Sequence, residues 1–269
     1  MTMDERDNFK NLILLCRNHH KIVDDNEDEY TVEKLNKMKI KHMEWVKKNK
    51  KIDKPKQRDD LEYASIVDRW SELANIDEWD EWTSFILSAD HPRLKAKRDE
   101  ALQKLIEYIL SRIWPGRYEK LEDSFKNFQL VLNDFIRVFR KYSKSPSDKW
   151  VDTRKFYKEG GWNENYHEDL QKYKYHVDLV QDLLLELTRA GNRMCKMIRK
   201  YIDPKFRSEE GVLLVTSGPH FDFSFTISRV EYQNEDEKYP GLRRFMEVRE
   251  ERDKWFGEGV EESYFTQFP

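Results

Sequence analysis

Apolar residues recur at steps of three and four along much of this chain. The series Leu121, Phe125, Phe128, Leu132, Phe135, Phe139 and Tyr142 predicts an amphipathic helix over residues 119–142, its aromatic stripe turned to a core. An earlier run, Leu102, Leu105, Ile106, Ile109, Leu110 and Ile113, keeps the same period until Pro115 and Gly116 stop it. A longer helix is expected over 163–201, with Val180, Leu184, Leu187, Gly191, Met194, Ile198 and Tyr201 on one face and Pro204 closing it. Residues 143–161, which hold Pro146, Gly160 and Gly161, read as a loop.

Past residue 210 the period shortens. Residues 211–216 form a short apolar strand candidate, and Ser217, Gly218 and Pro219 signal a turn. Phe221, Phe223, Phe225 and Ile227 then alternate with polar residues, as in a half-buried strand. Together they predict an antiparallel hairpin at about 211–230. A last helix is expected over 242–255. At the other end, the aliphatic run between Asn11 and Cys16 suits a buried strand. A helix starting near Thr31, its N-cap candidate, carries Leu35, Met38, Met43 and Val46 as a stripe through Lys47.

These patterns divide the chain into a small module over 1–50, a basic linker over 51–59 interrupted by Pro55, and a larger helical region over 60–269 containing the hairpin. The predicted class is mainly α. Composition agrees: 38% hydrophobic and 38% charged residues suit long helices with one buried stripe, and 13% aromatics can still build a core. No run reaches the roughly 18–20 apolar residues of a membrane span, and the polar first ten residues exclude a secretory signal. Cys16 and Cys195 form no disulfide framework, so a reducing, cytoplasmic setting is expected.

Net charge is only −3, but its distribution is uneven. Residues 33–58 carry eleven Lys or Arg against three acidic residues, whereas 231–269 carry six against eleven. The basic belt suits a phosphate backbone, and equally a solvated linker. Taken singly, Cys16 reads as a small buried hydrophobe, the adjacent histidines as surface residues and Asn11 as a turn residue. Cys195 with His167 and His176 forms no nucleophile arrangement and reads as a buried thiol. His220 with Asp222 reads as a turn, and the acidic group at Asp77, Glu78, Asp80 and Glu81 as a solvated helix end. There is no phosphate-binding glycine loop.

Read jointly, the segment NLILLCRNHHKIVD (11–24), the following YTVEKL (30–35) and the lysine-rich stretch ending at His42 resemble one branch of the HNH endonucleases. The match spans residues 2–45. The resemblance implies a ββα fold that hydrolyses phosphodiesters with a divalent cation such as Mg²⁺. Position by position, it implies that Asn11 orients the general base and His20 is the final, cation-binding histidine. Cys16 and His19 fall where relatives hold a structural Zn²⁺, and His42 is a further candidate ligand. Lys21, Lys39, Lys41, Lys47 and Lys48 become candidate contacts to DNA. The general-base histidine of this branch belongs to a strand well upstream of the Asn, whereas the ten residues before Asn11 contain neither His nor Cys. A start at an internal Met, a remnant that no longer cuts and a site completed by a partner chain all remain open. Such modules joined to helical domains recur in bacterial defence against phage and in mobile elements, with residues 60–269 expected to sense or dock. The alternative is a non-catalytic interaction or oligomerisation protein carrying a nuclease remnant.

Overall fold

The structure is a computed structural model that describes residues 12–15, 17–49, 53–87, 91–159, 162–219, 222–234 and 236–257. The chain is mainly helical. It divides into two compact units, Met1–Gln57 and Arg58–Pro269, and each is taken by itself.

The first unit contains helix α1 (Arg17–Asp24) and helix α2 (Val32–Asn49). Asn26 closes α1 by donating from Nδ2 to the Ile22 carbonyl (2.8 Å). Thr31 opens α2 as the pattern predicts, its hydroxyl accepting from the Lys34 N–H (3.4 Å). Lys34 stands where a capping box would place Glu or Gln, and its Nζ pairs with Glu29 instead (3.0 Å). Residues 12–15, expected as part of a buried strand, have no regular structure, and Leu14 is 99% exposed. The described residues of this unit contain no β-strand, and none is fully buried. The Leu35, Met38, Met43 and Val46 stripe exists, but Met38 and Met43 are exposed rather than packed. The described residues of this unit, two short helices and the segment before them, offer too little apolar surface to close a core.

Helix α3 (Lys54–Ala74) begins inside the segment read as a linker. Asp53 Oδ1 accepts from the Lys56 N–H (3.0 Å), which makes Asp53 the N-cap. Pro55 therefore sits in the first turn, where a missing N–H costs nothing. Next come α4 (Trp79–Leu87), strand β1 (Arg93–Lys95), α5 (Ala96–Leu110) and α6 (Glu119–Lys141). Strands β2 (Ser143–Ser147) and β3 (Trp150–Thr153) lead to the 36-residue α7 (Tyr166–Tyr201). Strands β4 (Leu214–Ser217) and β5 (Thr226–Arg229) and helix α8 (Leu242–Val248) complete the unit.

The core of this unit is built on α6 and α7, whose predicted stripes are buried except at the half-buried Tyr142 and Tyr201 that end them. Phe128 meets Trp70 edge-on at 5.6 Å and Trp79 at 6.5 Å. Gly191 marks a close approach: a Cβ there would lie 2.8 Å from Leu213 Cδ1. Asn192 next to it, itself buried, accepts from the Leu213 N–H and donates to the Leu213 and Val230 carbonyls (2.7, 3.0 and 2.9 Å). One side chain thereby holds the start of β4 and the end of β5 against α7.

Three expectations are corrected. Residues 143–161 are not simply a loop, because β2 and β3 pair with each other and β3 pairs with β1, in the antiparallel order β1-β3-β2. Pro146 falls at the register shift between Lys144 and Ser147, where an edge strand can spare an N–H. The C-terminal hairpin exists, with Thr216 opposite Ile227, but its apolar phase faces outward. Phe223, Phe225 and Ile227 are 84%, 63% and 69% exposed, while Val215 and Ser228 turn inward. Finally, the helix expected over 242–255 stops at Val248, and a 3₁₀ turn at Arg249–Glu251 follows. Burial of Arg249 against a carboxylate of α7 wins over helix continuation there.

Candidate functional site

The residues singled out by the nuclease resemblance lie on α1 and α2. Asn11 and Cys16 fall outside the described residues. His19 and His20 are consecutive on α1, so their side chains leave the axis about 100° apart. They serve different surroundings. His19 and His42 line one groove of about 620 Å³ together with residues 12–15, Met38, Lys39 and Met43. Trp45 stacks on the His42 ring, with centroids 5.9 Å apart.

His20 makes a separate contact. Its Nδ1 lies 2.7 Å from Asp24 Oδ2, one helical turn on, and both side chains are well exposed. The i,i+4 spacing on α1 sets this pair. It leaves Nε2 as the ring nitrogen facing away from the carboxylate. A carboxylate on the far nitrogen is the usual support of a metal-ligating imidazole, because it fixes the ring and raises its basicity.

Of the candidate DNA contacts, Lys21, Lys41 and Lys47 are exposed, whereas Lys39 is half-buried at the groove wall. The side chain of Lys48 lies outside the described residues. Among the described residues no group of three His, Cys, Asp or Glu side chains converges on a point that could hold a metal. His19 and His42 thus line one groove, and His20 pairs with Asp24 on α1.

The second unit contains a polar cluster that sequence reasoning missed. Asp182 and Arg249, each with a side chain only 1% exposed, pair at 2.9 Å. Asp182 also accepts from the Phe256 N–H (2.5 Å). Burial pushes its carboxyl up to about 7 against the opposing pull of Arg249. Glu186, raised in the same way by burial, pairs with Arg252 (2.8 Å) and Arg189 (3.4 Å). Arg189 reaches on to Asp253 (2.5 Å) and the Lys254 carbonyl (2.9 Å). These contacts hold residues 249–256 against the middle of α7. The available signal was a pair of acids one turn apart, at 182 and 186, inside an otherwise apolar run.

The remaining candidates carry no site. Cys195 is buried, and burial pushes its thiol up to about 11, which keeps it protonated and unreactive. His176 is buried, and burial with the nearby Lys141 pushes its imidazole down to about 3. The acidic group before and within α4 is occupied by protein partners. Asp77 pairs with Arg207 (3.1 Å), Asp80 accepts from Thr216 (3.0 Å), Glu81 pairs with Lys95 (2.8 Å) and Glu78 accepts from Asn75 (2.6 Å). His220 falls outside the described residues.

No protein-family model matches this chain, and no curated protein or solved structure matches it either. No helix among the described residues is long and apolar enough to cross a membrane.

Proposed function

We propose that residues 2–45 are the cation-binding half of an HNH-type nuclease centre, acting on DNA, with the second unit serving to sense or dock. The observation that carries this reading is the His20–Asp24 pair at 2.7 Å. The motif resembled contains both residues, and the structure gives a physical reason for their spacing, since the acid supports the imidazole through Nδ1. His20 would hold the divalent cation through Nε2. Once bound, the cation supplies charge stabilisation at the phosphate and the leaving oxygen.

The same reading assigns a second, structural metal to the groove that His19 and His42 both line. Two imidazoles with the thiolate of Cys16 are a donor set that suits Zn²⁺, which in a closed site takes four ligands. Those three residues would hold it, and the fourth donor is unassigned. Lys21, Lys41 and Lys47, exposed beside the pair and along α2, suit the DNA backbone.

The three histidines of the first unit are all taken by these roles, so the general base must come from another segment. That requirement makes the proposal testable by chemical rescue. The full chain, with Mg²⁺ or Mn²⁺, should nick supercoiled plasmid when free imidazole supplies the missing base, and His20→Ala should abolish the nicking. Plasmid left intact at every imidazole concentration, or cut equally by His20→Ala, would refute the reading. The alternative, a non-catalytic interaction protein, is favoured by one observation: the C-terminal hairpin exposes Phe223, Phe225 and Ile227 together.

A further inference from the structure

Strand β5 is the outer edge of a two-stranded sheet. It pairs with β4 on one side, and among the described residues no strand lies on its other side. β4 is the strand tied to α4, where the Thr216 hydroxyl donates to Asp80 (3.0 Å). Proteins that stay monomeric protect such an edge with lysine, proline or a bulge. This edge has none of them. Residues 223–229 read Phe-Ser-Phe-Thr-Ile-Ser-Arg, and the pairing of β5 with β4 runs from Thr226 to Arg229 without a register shift. Their one charge, on Arg229, is paired with Glu231 (2.6 Å). Phe223, Phe225 and Ile227 are exposed, and Leu214, across from Arg229 on β4, shares the outer face of Ile227.

Area and charge identify what covers it. A phenylalanine carries about 150–250 Å², so these four side chains together expose on the order of 500 Å² per chain. Burying that patch on both sides of a two-fold axis removes about 1,000 Å², the least that a specific protein interface needs. The segment is also complementary to itself. In an antiparallel pairing centred on Ile227, Arg229 of each copy lies opposite Phe225 of the other, where a guanidinium can sit over the ring. Thr226 lies opposite Ser228, and no two like charges face one another.

We propose that β5 pairs antiparallel with β5 of a second copy of this chain about a two-fold axis at Ile227, making one continuous four-stranded sheet across the dimer. This dimer gives the interaction reading of the hairpin its partner, and it stands whether or not the first unit cuts DNA. Self-association and plasmid nicking are separate readouts, so either can fail alone.

Sedimentation equilibrium of the full chain at up to about 100 μM, a range that captures even weak specific association, should give a mass approaching twice 32.8 kDa. Ile227→Lys sets two like charges face to face on the axis and should weaken the dimer about a hundredfold or more. Ile227 is exposed, so circular dichroism of that variant should show the fold kept. The register is read at one position by two variants. Phe225→Glu places an acid opposite Arg229 of the second copy and should associate about tenfold or more tightly than Phe225→Lys, which places a like charge there. A mass of one chain at every concentration would overturn the proposal. So would a dimer that Ile227→Lys leaves intact, or two Phe225 variants that associate alike.

Discussion

Replacing Arg249 by Met removes one partner of an ion pair whose two side chains are each 1% exposed. Methionine fills much of the same volume, so the chief loss is electrostatic. Asp182 would keep the Phe256 N–H but lose its countercharge. Breaking a pair of this kind from one side costs about 3–5 kcal/mol where the remaining charge stays ionised, and less where the carboxyl can take up a proton instead. The Arg249 guanidinium also lies 4.6 Å from the Tyr175 ring centroid, a contact worth about 1–2 kcal/mol when desolvated. The sign of the pH dependence follows from Asp182, whose folded carboxyl titrates near 7 rather than at 3.8. Between those values the folded state holds the extra proton, so stability falls as pH rises through the window and the loss is complete above it. Without Arg249 the folded value moves higher still. Urea unfolding followed by tryptophan fluorescence should therefore show Arg249→Met about 1–2 kcal/mol less stable at pH 5 and about 2–3 kcal/mol less stable at pH 8, because one pH unit above the titration adds at most about 1.4 kcal/mol. Adding Asp182→Asn should restore the extra loss at pH 8. A cost below about 1 kcal/mol at pH 8, or one that does not change with pH, would refute the reasoning.

Other consequences are equally specific. Phe128→Ala removes a ring packed between Trp70 and Trp79 and should cost about 3–5 kcal/mol by denaturant unfolding. Gly191→Ala places a methyl 2.8 Å from Leu213 Cδ1 and should cost about 1–3 kcal/mol, which trimming Leu213 to Val should partly relieve. His176 is neutral in the fold down to about pH 3 but protonates near 6.5 when unfolded. The unfolded state therefore binds the extra proton, and stability falls as pH drops through that window by about 1.4 kcal/mol per pH unit. His176→Gln should flatten this part of the stability–pH curve relative to the unaltered chain. For the first unit, elemental analysis should find one zinc per chain, lost on Cys16→Ser or His19→Ala.

The helices α6 and α7 were legible because a 3.6-residue period needs only the local sequence. The sheet β1-β3-β2 was not. It pairs Arg93 with Asp152 and Leu94 with Val151, partners far apart in sequence on strands too short and polar to show alternation. In the C-terminal hairpin the strands could be found but not their phase. Alternation alone does not say which face is covered, and here Ser228 turns in while Ile227 turns out. Pro55 was misread because a proline that breaks a helix interior is equally at home in a first turn, and the cap at Asp53 decides between them. The proposed half-site rests on a joint pattern of residue types. That His19 lines a groove with His42 while His20 pairs with Asp24 depends on α1 being helical through both, which the aliphatic run before it did not suggest. The Asp182–Arg249 pair joins α7 to a turn that no local pattern places beside it.

Manganese broadening of the histidine ring resonances in NMR tests the nuclease half-site most directly, with His20→Ala used to assign the signal. Substoichiometric Mn²⁺ should broaden the His20 ring signals well before those of His167, an exposed histidine on α7 outside the half-site, and Asp24→Ala should weaken that preference. If His20 and His167 broaden together, His20 is an ordinary surface histidine and the nuclease half-site is not there.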